Sequence, residues 1–202
     1  CRFLPGSPAE MTREIQLVPS SGAWLRCVLA NFDEFLIDHA ANERKASSMA
    51  MSLVAHYPDK PDLVREMVDL ALEELTHFKQ VIRLMRQRGL FMTPDEKDLY
   101  VNQMRHHVRG DTEGYFLDRL LSGAVIEARG EERFRQLADH LKDEKLKVFY
   151  MALANSEKGH HQLFLRLALQ YFNDQIVDKR LAEWIVTEKT VIEGIPVRSR
   201  LH

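Results

Sequence analysis

The sequence predicts an all-α fold, a bundle of four long helices with shorter ones attached. Two observations carry this. The chain has only 9 Gly and 7 Pro in 202 residues and is rich in good helix formers. Apolar residues also recur at helical spacing between well-placed start and stop signals, with almost no strand-like alternation. A chain of this length fits one domain, 1–202, with irregular ends at 1–20 and 195–202.

Ser20 or Ser21 can cap a short helix through Trp24, Leu25, Val28 and Leu29. Asn31 or Asp33 opens the first long helix, whose stripe of Leu36, Ala40, Glu43, Ser47 and Ala50 runs on to about His56. Tyr57-Pro58 ends it, because proline disfavours helix in the residue before it. Pro61 suits a first helical turn, and Leu63, Met67, Ala71, Glu74, His77 and Val81 trace a second long helix as far as Gly89. Thr93-Pro94-Asp95-Glu96 has capping-box spacing and predicts a shorter helix to about Val108.

Asp111 or Thr112 opens the third long helix, with Phe116, Leu120, Gly123, Ala124, Glu127 and Phe134 inward. Gly123 is costly in mid-helix and points to close packing or to room for a substrate. Asp143 opens the fourth, where Val148, Met151, Asn155 and Phe164 accompany Glu157 and His160. After Asn173-Asp174 comes a last helix with Ile176, Leu181, Trp184 and Ile185, then a loose tail with Arg198 and Arg200 exposed. Short links make helices one and two, and three and four, antiparallel pairs, and the long middle link is the single crossover of a ferritin-like bundle.

Composition narrows the function. No apolar run reaches the 18 or more residues of a membrane span, and the start lacks the apolar stretch of a signal peptide. A first residue of Cys rather than Met suggests a trimmed chain. Cys1 and Cys27 are the only cysteines, which favours a reducing cytosol and excludes a fused rubredoxin-type iron site. A net charge of −2 gives no overall attraction to nucleic acid.

The chemistry lies in two matching tetrapeptides, Glu74-Leu75-Thr76-His77 and Glu157-Lys158-Gly159-His160. Residues three apart share a helix face, so each aims a carboxylate and an imidazole at one point. With 17 glutamates and 9 histidines, such pairs arise by chance roughly 0.8 times in a chain this long, on the spacing rule alone. The upstream glutamates lift the signal: Glu43 precedes Glu74 by 31 residues, and Glu127 precedes Glu157 by 30. Two half-sites on four helices form the ligand pattern of a di-iron or di-manganese carboxylate centre.

Mixed carboxylate and imidazole ligands suit iron. Glu74 and Glu157 are expected to bridge two ions, Glu43 and Glu127 to be terminal, and His77 and His160 to complete one ion each. Which terminal glutamate joins which histidine stays open. Two divalent ions would offset the four carboxylates and make their burial tolerable. Glu73 is expected to accept from His160, and Ser156 more weakly from His77. For His39 a packing or outer-shell role is expected, with His161 off the metal face and His106 and His107 in solvent. Met49, Met51, Met67 and Met151 are expected as core filler.

Four stretches go further: Asp38-His39-Ala40-Ala41-Asn42-Glu43, Glu73-Glu74-Leu75-Thr76-His77-Phe78, the run Ile126-Glu127-Ala128-Arg129-Gly130-Glu131-Glu132-Arg133-Phe134, and Ser156-Glu157-Lys158-Gly159-His160. Together these resemble the MiaE family of tRNA-(2-methylthio-N6-isopentenyl-adenosine)-hydroxylases, over roughly residues 22 to 172. The link between the second and third bundle helices is shorter than in some members.

The resemblance implies a cytoplasmic non-haem di-iron monooxygenase that uses O2 and two electrons. Its substrate would be the isopentenyl chain of the hypermodified adenosine 3′ of the tRNA anticodon. The implied metal ligands are the same six residues, and the electrons would come from a separate reductase or ferredoxin, since no flavin or nicotinamide fingerprint is present. For tRNA phosphates, Arg83, Arg86, Arg88, Lys97, Arg105 and Arg109 outnumber the three acids of segment 83–109, although a solvated surface explains them as well. The rival readings are a different di-iron oxygenase, a manganese catalase, a ferroxidase, or a metal-free helical module. Nothing specifies the oligomeric state.

Overall fold

The computed structural model describes residues 13–202, so the part of the irregular start that covers 1–12 lies outside the described residues. Seven helices and no strand are present among the described residues: α1 (Gly22–Ala30), α2 (Phe32–His56), α3 (Pro61–Gln87), α4 (Leu99–Arg105), α5 (Thr112–His140), α6 (Glu144–Tyr171) and α7 (Asp174–Gly194). The fold is all-α and ferritin-like, with α2, α3, α5 and α6 as the long bundle helices.

Local chemistry explains most of the boundaries. Ser21, Asp111, Asp143 and Asn173 each accept a hydrogen bond from a first-turn amide, which supplies a partner to an otherwise orphaned donor. Asn31 precedes α2 but caps with no side-chain bond; its amide instead donates back to the Cys27 carbonyl. Pro61 occupies the first position of α3, and Gly89 takes the positive φ of 72° just past its end. Four residues separate α2 from α3 and three separate α5 from α6, so each pair packs back along itself as a hairpin. The crossover contains α4.

Three expectations need correction. The Thr93-Pro94-Asp95-Glu96 capping box does not start a helix: α4 begins at Leu99, with the Asp98 carboxylate accepting from the Val101 amide. Asp95 and Glu96 are drawn into tertiary contacts, Asp95 with Arg44, and Glu96 with Arg200 and through its carbonyl with Lys45. Val148 and Ile176 are exposed rather than inward. Val148 lies nine residues before Glu157, which at about 100° per residue is the opposite side of α6. Ile176 falls beside the buried stripe of Val177, Leu181, Trp184 and Val191.

The third correction is the tail. Residues 195–202 form no helix, but they are not loose. Leu201 is buried, its carbonyl accepts from Arg133, and its amide donates to Asp38. The Arg200 carbonyl accepts from the Trp24 indole, and the His202 ring stacks on Tyr100 at 5.0 Å.

The core divides into two apolar clusters. One contains Ala50, Met67, Ala71, Val125, Phe164 and Trp184 among others; the second contains Phe35, Ala40, Val81, Phe134, Tyr150 and Ala154. Along each long helix the paired Glu and His positions fall between the two clusters. A buried polar layer therefore crosses the middle of the bundle.

Candidate metal centre

The layer is made by residues that four helices present at one level: Glu43 from α2, Glu74 and His77 from α3, Glu127 from α5, Glu157 and His160 from α6. All six are buried, the least so at 7% exposed. Their donor atoms form two interlocking groups, Glu43–Glu74–His77–Glu157 and Glu74–Glu127–Glu157–His160, each within 4.8 Å throughout. Glu74 and Glu157 belong to both groups. Glu43 falls in the group with His77 and Glu127 in the group with His160.

The imidazoles point the same way. His77 Nδ1 lies 3.5 Å from Glu74 and 3.6 Å from Glu43. His160 Nδ1 lies 2.9 Å from Glu74, 3.6 Å from Glu157 and 4.0 Å from Glu127. Yet Glu74 Oε1, His77 Nδ1 and His160 Nδ1 make no properly directed hydrogen bond. Buried polar atoms without partners are costly. Atoms that converge without bonding to each other are what a shared cation would satisfy, so this donor set fits metal ions.

Charge makes the same case. Burial and the facing Glu157 charge push the Glu74 carboxyl up to about 8, and burial and Glu157 also drive Glu127 well above the usual carboxylate range. Burial works against Glu43 and Glu157 as well, but the His39 and His77 rings facing Glu43, and Glu127 with the His160 ring facing Glu157, outweigh it and hold them low. Burial lowers His77 and His160, and their carboxylate neighbours outweigh it, raising His77 to about 10 and His160 further still. Without metal, the cluster retains protons that bound ions would displace.

Around the six, Glu73 approaches His160 Nε2 at 3.3 Å and His77 Nε2 at 3.9 Å, from the side opposite the converging Nδ1 atoms. A hydrogen bond from His160 lowers its carboxyl to about 2. Ser156 does not serve His77: its hydroxyl donates to Glu73 and lies 3.5 Å from His160 Nε2, because residues 156 and 160 share one helix face. His39 is fully buried, with Nε2 at 2.5 Å from Glu43 and Nδ1 at 3.3 Å from the Tyr150 hydroxyl. Tyr150 went unnoticed in the sequence, although the spacing Tyr150, Leu153, Ala154, Glu157 places it on the inner face. His161 is buried but turned to Glu131 at 3.3 Å, off the centre, and His106 and His107 are exposed.

The arginines of segment 83–109 do not form one free surface. Arg88 is held by Asp33, and Arg109 by the buried Asp118. Arg83, Arg86 and Arg105 are exposed. Met67 is core as expected and Met51 is exposed. Met49, with Leu201, lines a cavity of about 140 Å³ over Glu43, Glu74, Glu127 and Glu157. No periodicity could have announced Leu201 there.

Comparison with known proteins agrees with this site. The sequence profile of the family described as tRNA-(MS[2]IO[6]A)-hydroxylase (MiaE) matches residues 9–202, which takes in the docked tail. The tRNA 2-(methylsulfanyl)-N(6)-isopentenyladenosine(37) hydroxylase of Pseudomonas putida is 39% identical over 184 residues, covering 91% of this chain and 89% of that protein. The enzyme of the same name from Salmonella typhimurium is 37% identical over 139 residues, covering 69% of this chain and 51% of that one. A solved structure, a Synechococcus protein with aldehyde deformylating oxygenase activity, superposes with a TM-score of 0.87 at 34% identity, covering 91% of this chain and 93% of its own. With a buried carboxylate and imidazole layer at the level where its two half-sites meet, the chain belongs to the MiaE family of tRNA hydroxylases.

Proposed function

We propose that this chain is a cytoplasmic non-haem di-iron monooxygenase that hydroxylates the isopentenyl side chain of 2-methylthio-N6-isopentenyladenosine in tRNA, 3′ of the anticodon. The observation that carries the metal half of this reading is the pair of donor groups sharing Glu74 and Glu157. Glu74 and Glu157, common to both groups, would help hold two ions, with Glu43 and His77 in one group and Glu127 and His160 in the other. The substrate half is supported by the identity to the Pseudomonas putida enzyme.

The overall reaction consumes O2, two electrons and two protons, placing one oxygen in a C–H bond and releasing the other as water. Two iron ions, held there, would supply the multi-electron O2 chemistry that breaking an unactivated C–H bond requires. The residues of the chain do the rest. Glu73 accepts from the outward Nε2–H group of His160, which fixes the tautomer that leaves Nδ1 of that ring free for metal. His39 holds Glu43 in place and is itself anchored by Tyr150. The apolar clusters above and below exclude water from the layer. A separate reductase or ferredoxin delivers the electrons.

The deciding experiment incubates iron-loaded protein with O2, a reductant and prenylated tRNA, followed by nucleoside analysis. The hydroxylated nucleoside is expected, and is expected to vanish with Glu74→Ala. The likeness to the Synechococcus protein favours one second reading, an oxygenase acting on aldehydes. A long-chain aldehyde belongs in the same assay: turnover of the aldehyde with untouched tRNA would replace the proposal by that reading.

A further inference from the structure

A second cavity, of about 590 Å³, adjoins the one over the carboxylates and shares Lys45, Met49, Val101, Ile126 and Glu127 with it. Its size falls within the ~300–1,000 Å³ usual for pockets that take small organic molecules. It lies between α2, α4 and α5 and has a direction built into it. The shared end is walled by Met49, Val101 and Ile126, with Lys45 and Glu127 as its charged groups. Elsewhere Arg105, Arg109 and Arg119 line it, and Glu127 at the metal layer is its one acid.

The four cations are not equally committed. Arg109 is tied to buried Asp118, and Lys45 donates to the Glu96 carbonyl. Arg119 lies over the Tyr115 ring at 5.7 Å and donates to its hydroxyl. Arg105 is exposed and forms no ion pair among the described residues. Arg83 and Arg86, at the far end of α3, line neither cavity.

We propose that this cleft admits the anticodon loop, and that the α2/α4/α5 face, not the arginines at the end of α3, is the tRNA-binding surface. The assignment rests on the tRNA-hydroxylase reading. The apolar throat of Met49, Val101 and Ile126 takes the isopentenyl chain towards Glu127. Arg105 and Arg119 hold the phosphates on either side of the modified nucleotide. The match is one of polarity: a nucleotide apolar at its prenyl end and anionic at its backbone meets a cleft with an apolar wall of Met49, Val101 and Ile126 inside and arginines outside. A loop base is free to leave its stack, and an aromatic or guanidinium face is what a splayed base rests on. Tyr115 and Arg119 present such a platform. The end of α3 offers charge without a path to the metal layer.

Binding to the metal-free protein tests this apart from catalysis. A fluorescent anticodon stem-loop carrying 2-methylthio-N6-isopentenyladenosine, and the same RNA with plain adenosine, are titrated over a range of salt. Arg105→Glu/Arg119→Glu is expected to weaken binding by about tenfold or more. At roughly 0.7 per lost phosphate contact, the slope of log K against log salt should flatten by about 1.4. Arg83→Glu/Arg86→Glu should stay within about twofold of wild type. Ser52→Trp, which fills the cavity from α2 without touching the carboxylates, should shrink the preference for the prenylated RNA. Thermal melting checks folding, and Arg105→Gln/Arg119→Gln replaces the reversal if that variant melts early.

If the α3 pair weakens binding and the Arg105/Arg119 pair does not, this assignment falls and the hydroxylase reading stands. A wild-type protein that binds neither RNA overturns both.

Discussion

Two sets of carboxylates are buried in this protein, and they are neutralised in opposite ways. Asp118 accepts from Arg109, Arg180 and the Trp184 indole; Glu188 accepts from Arg129 at 2.7 Å and from the Tyr100 hydroxyl. These acids carry their counter-charges within the chain, and they join the middle and C-terminal helices and the crossover. Glu43, Glu74, Glu127 and Glu157 are as deeply buried, yet among the described residues no lysine or arginine reaches them. Their only ionisable partners are imidazoles and one another. A buried charge needs a partner. Where the chain supplies an arginine the acid is neutralised from within, and where it supplies none the proposed metal ions would be the partner.

The strongest test of this contrast exchanges one residue from each set. Glu74→Ala should abolish hydroxylation and lower bound iron, by more than the ~10–100-fold that loss of an outer metal partner costs; the protein should remain folded. Glu188→Ala should do the reverse. It leaves the Arg129 guanidinium buried without its main acceptor, a change worth about 3–5 kcal/mol of stability, read by urea unfolding, while iron stoichiometry in the folded fraction is kept. Iron loss without destabilisation in Glu188→Ala would erase the distinction.

Glu73→Ala should have a smaller effect, about 10–100-fold in iron affinity, because it frees the His160 ring without removing a donor. Unchanged iron content in that variant would dismiss the proposed role of Glu73.

The mildest test is the sign of the pH dependence. Burial opposes the Asp118 charge, but Arg180 and Arg109 outweigh it and hold the carboxyl at about 2. Its stabilisation is therefore complete above the ordinary carboxylate range and is lost as pH falls from about 4 to about 2. Glu74 behaves oppositely: raised to about 8 in the metal-free protein, it contributes most at low pH and loses that contribution as pH rises towards about 8. His77, raised to about 10, adds to the same decline. Melting curves of the metal-free protein should show this alkaline loss, and added iron should remove it.

The bundle was readable because its signals are local. Tyr57-Pro58, Pro61 and Gly89 punctuate the chain through backbone geometry alone, and Asp111, Asp143 and Asn173 cap through neighbouring amides. The Thr93–Glu96 box misled for the converse reason. Its acids face Arg44, Lys45 and Arg200, which are distant in sequence and offer more than a helical turn would. Ser156 misled because its choice between His77 and His160 depends on how α3 and α6 meet. The tail gave no periodic pattern, and its anchors, Trp24, Asp38, Tyr100 and Arg133, lie far away along the chain.

The sequence by itself determined the all-α class, the four long helices and the two Glu-x-x-His half-sites with their upstream glutamates. Helical periodicity and caps act over a few residues, and a fixed rise per residue places such positions on one face. Tertiary structure alone decided that the half-sites share Glu74 and Glu157, that Glu43 sides with His77 and Glu127 with His160, and that the tail closes over the cavity beside them. Those outcomes depend on how helices far apart in sequence are set against each other, and no local rule carries that information.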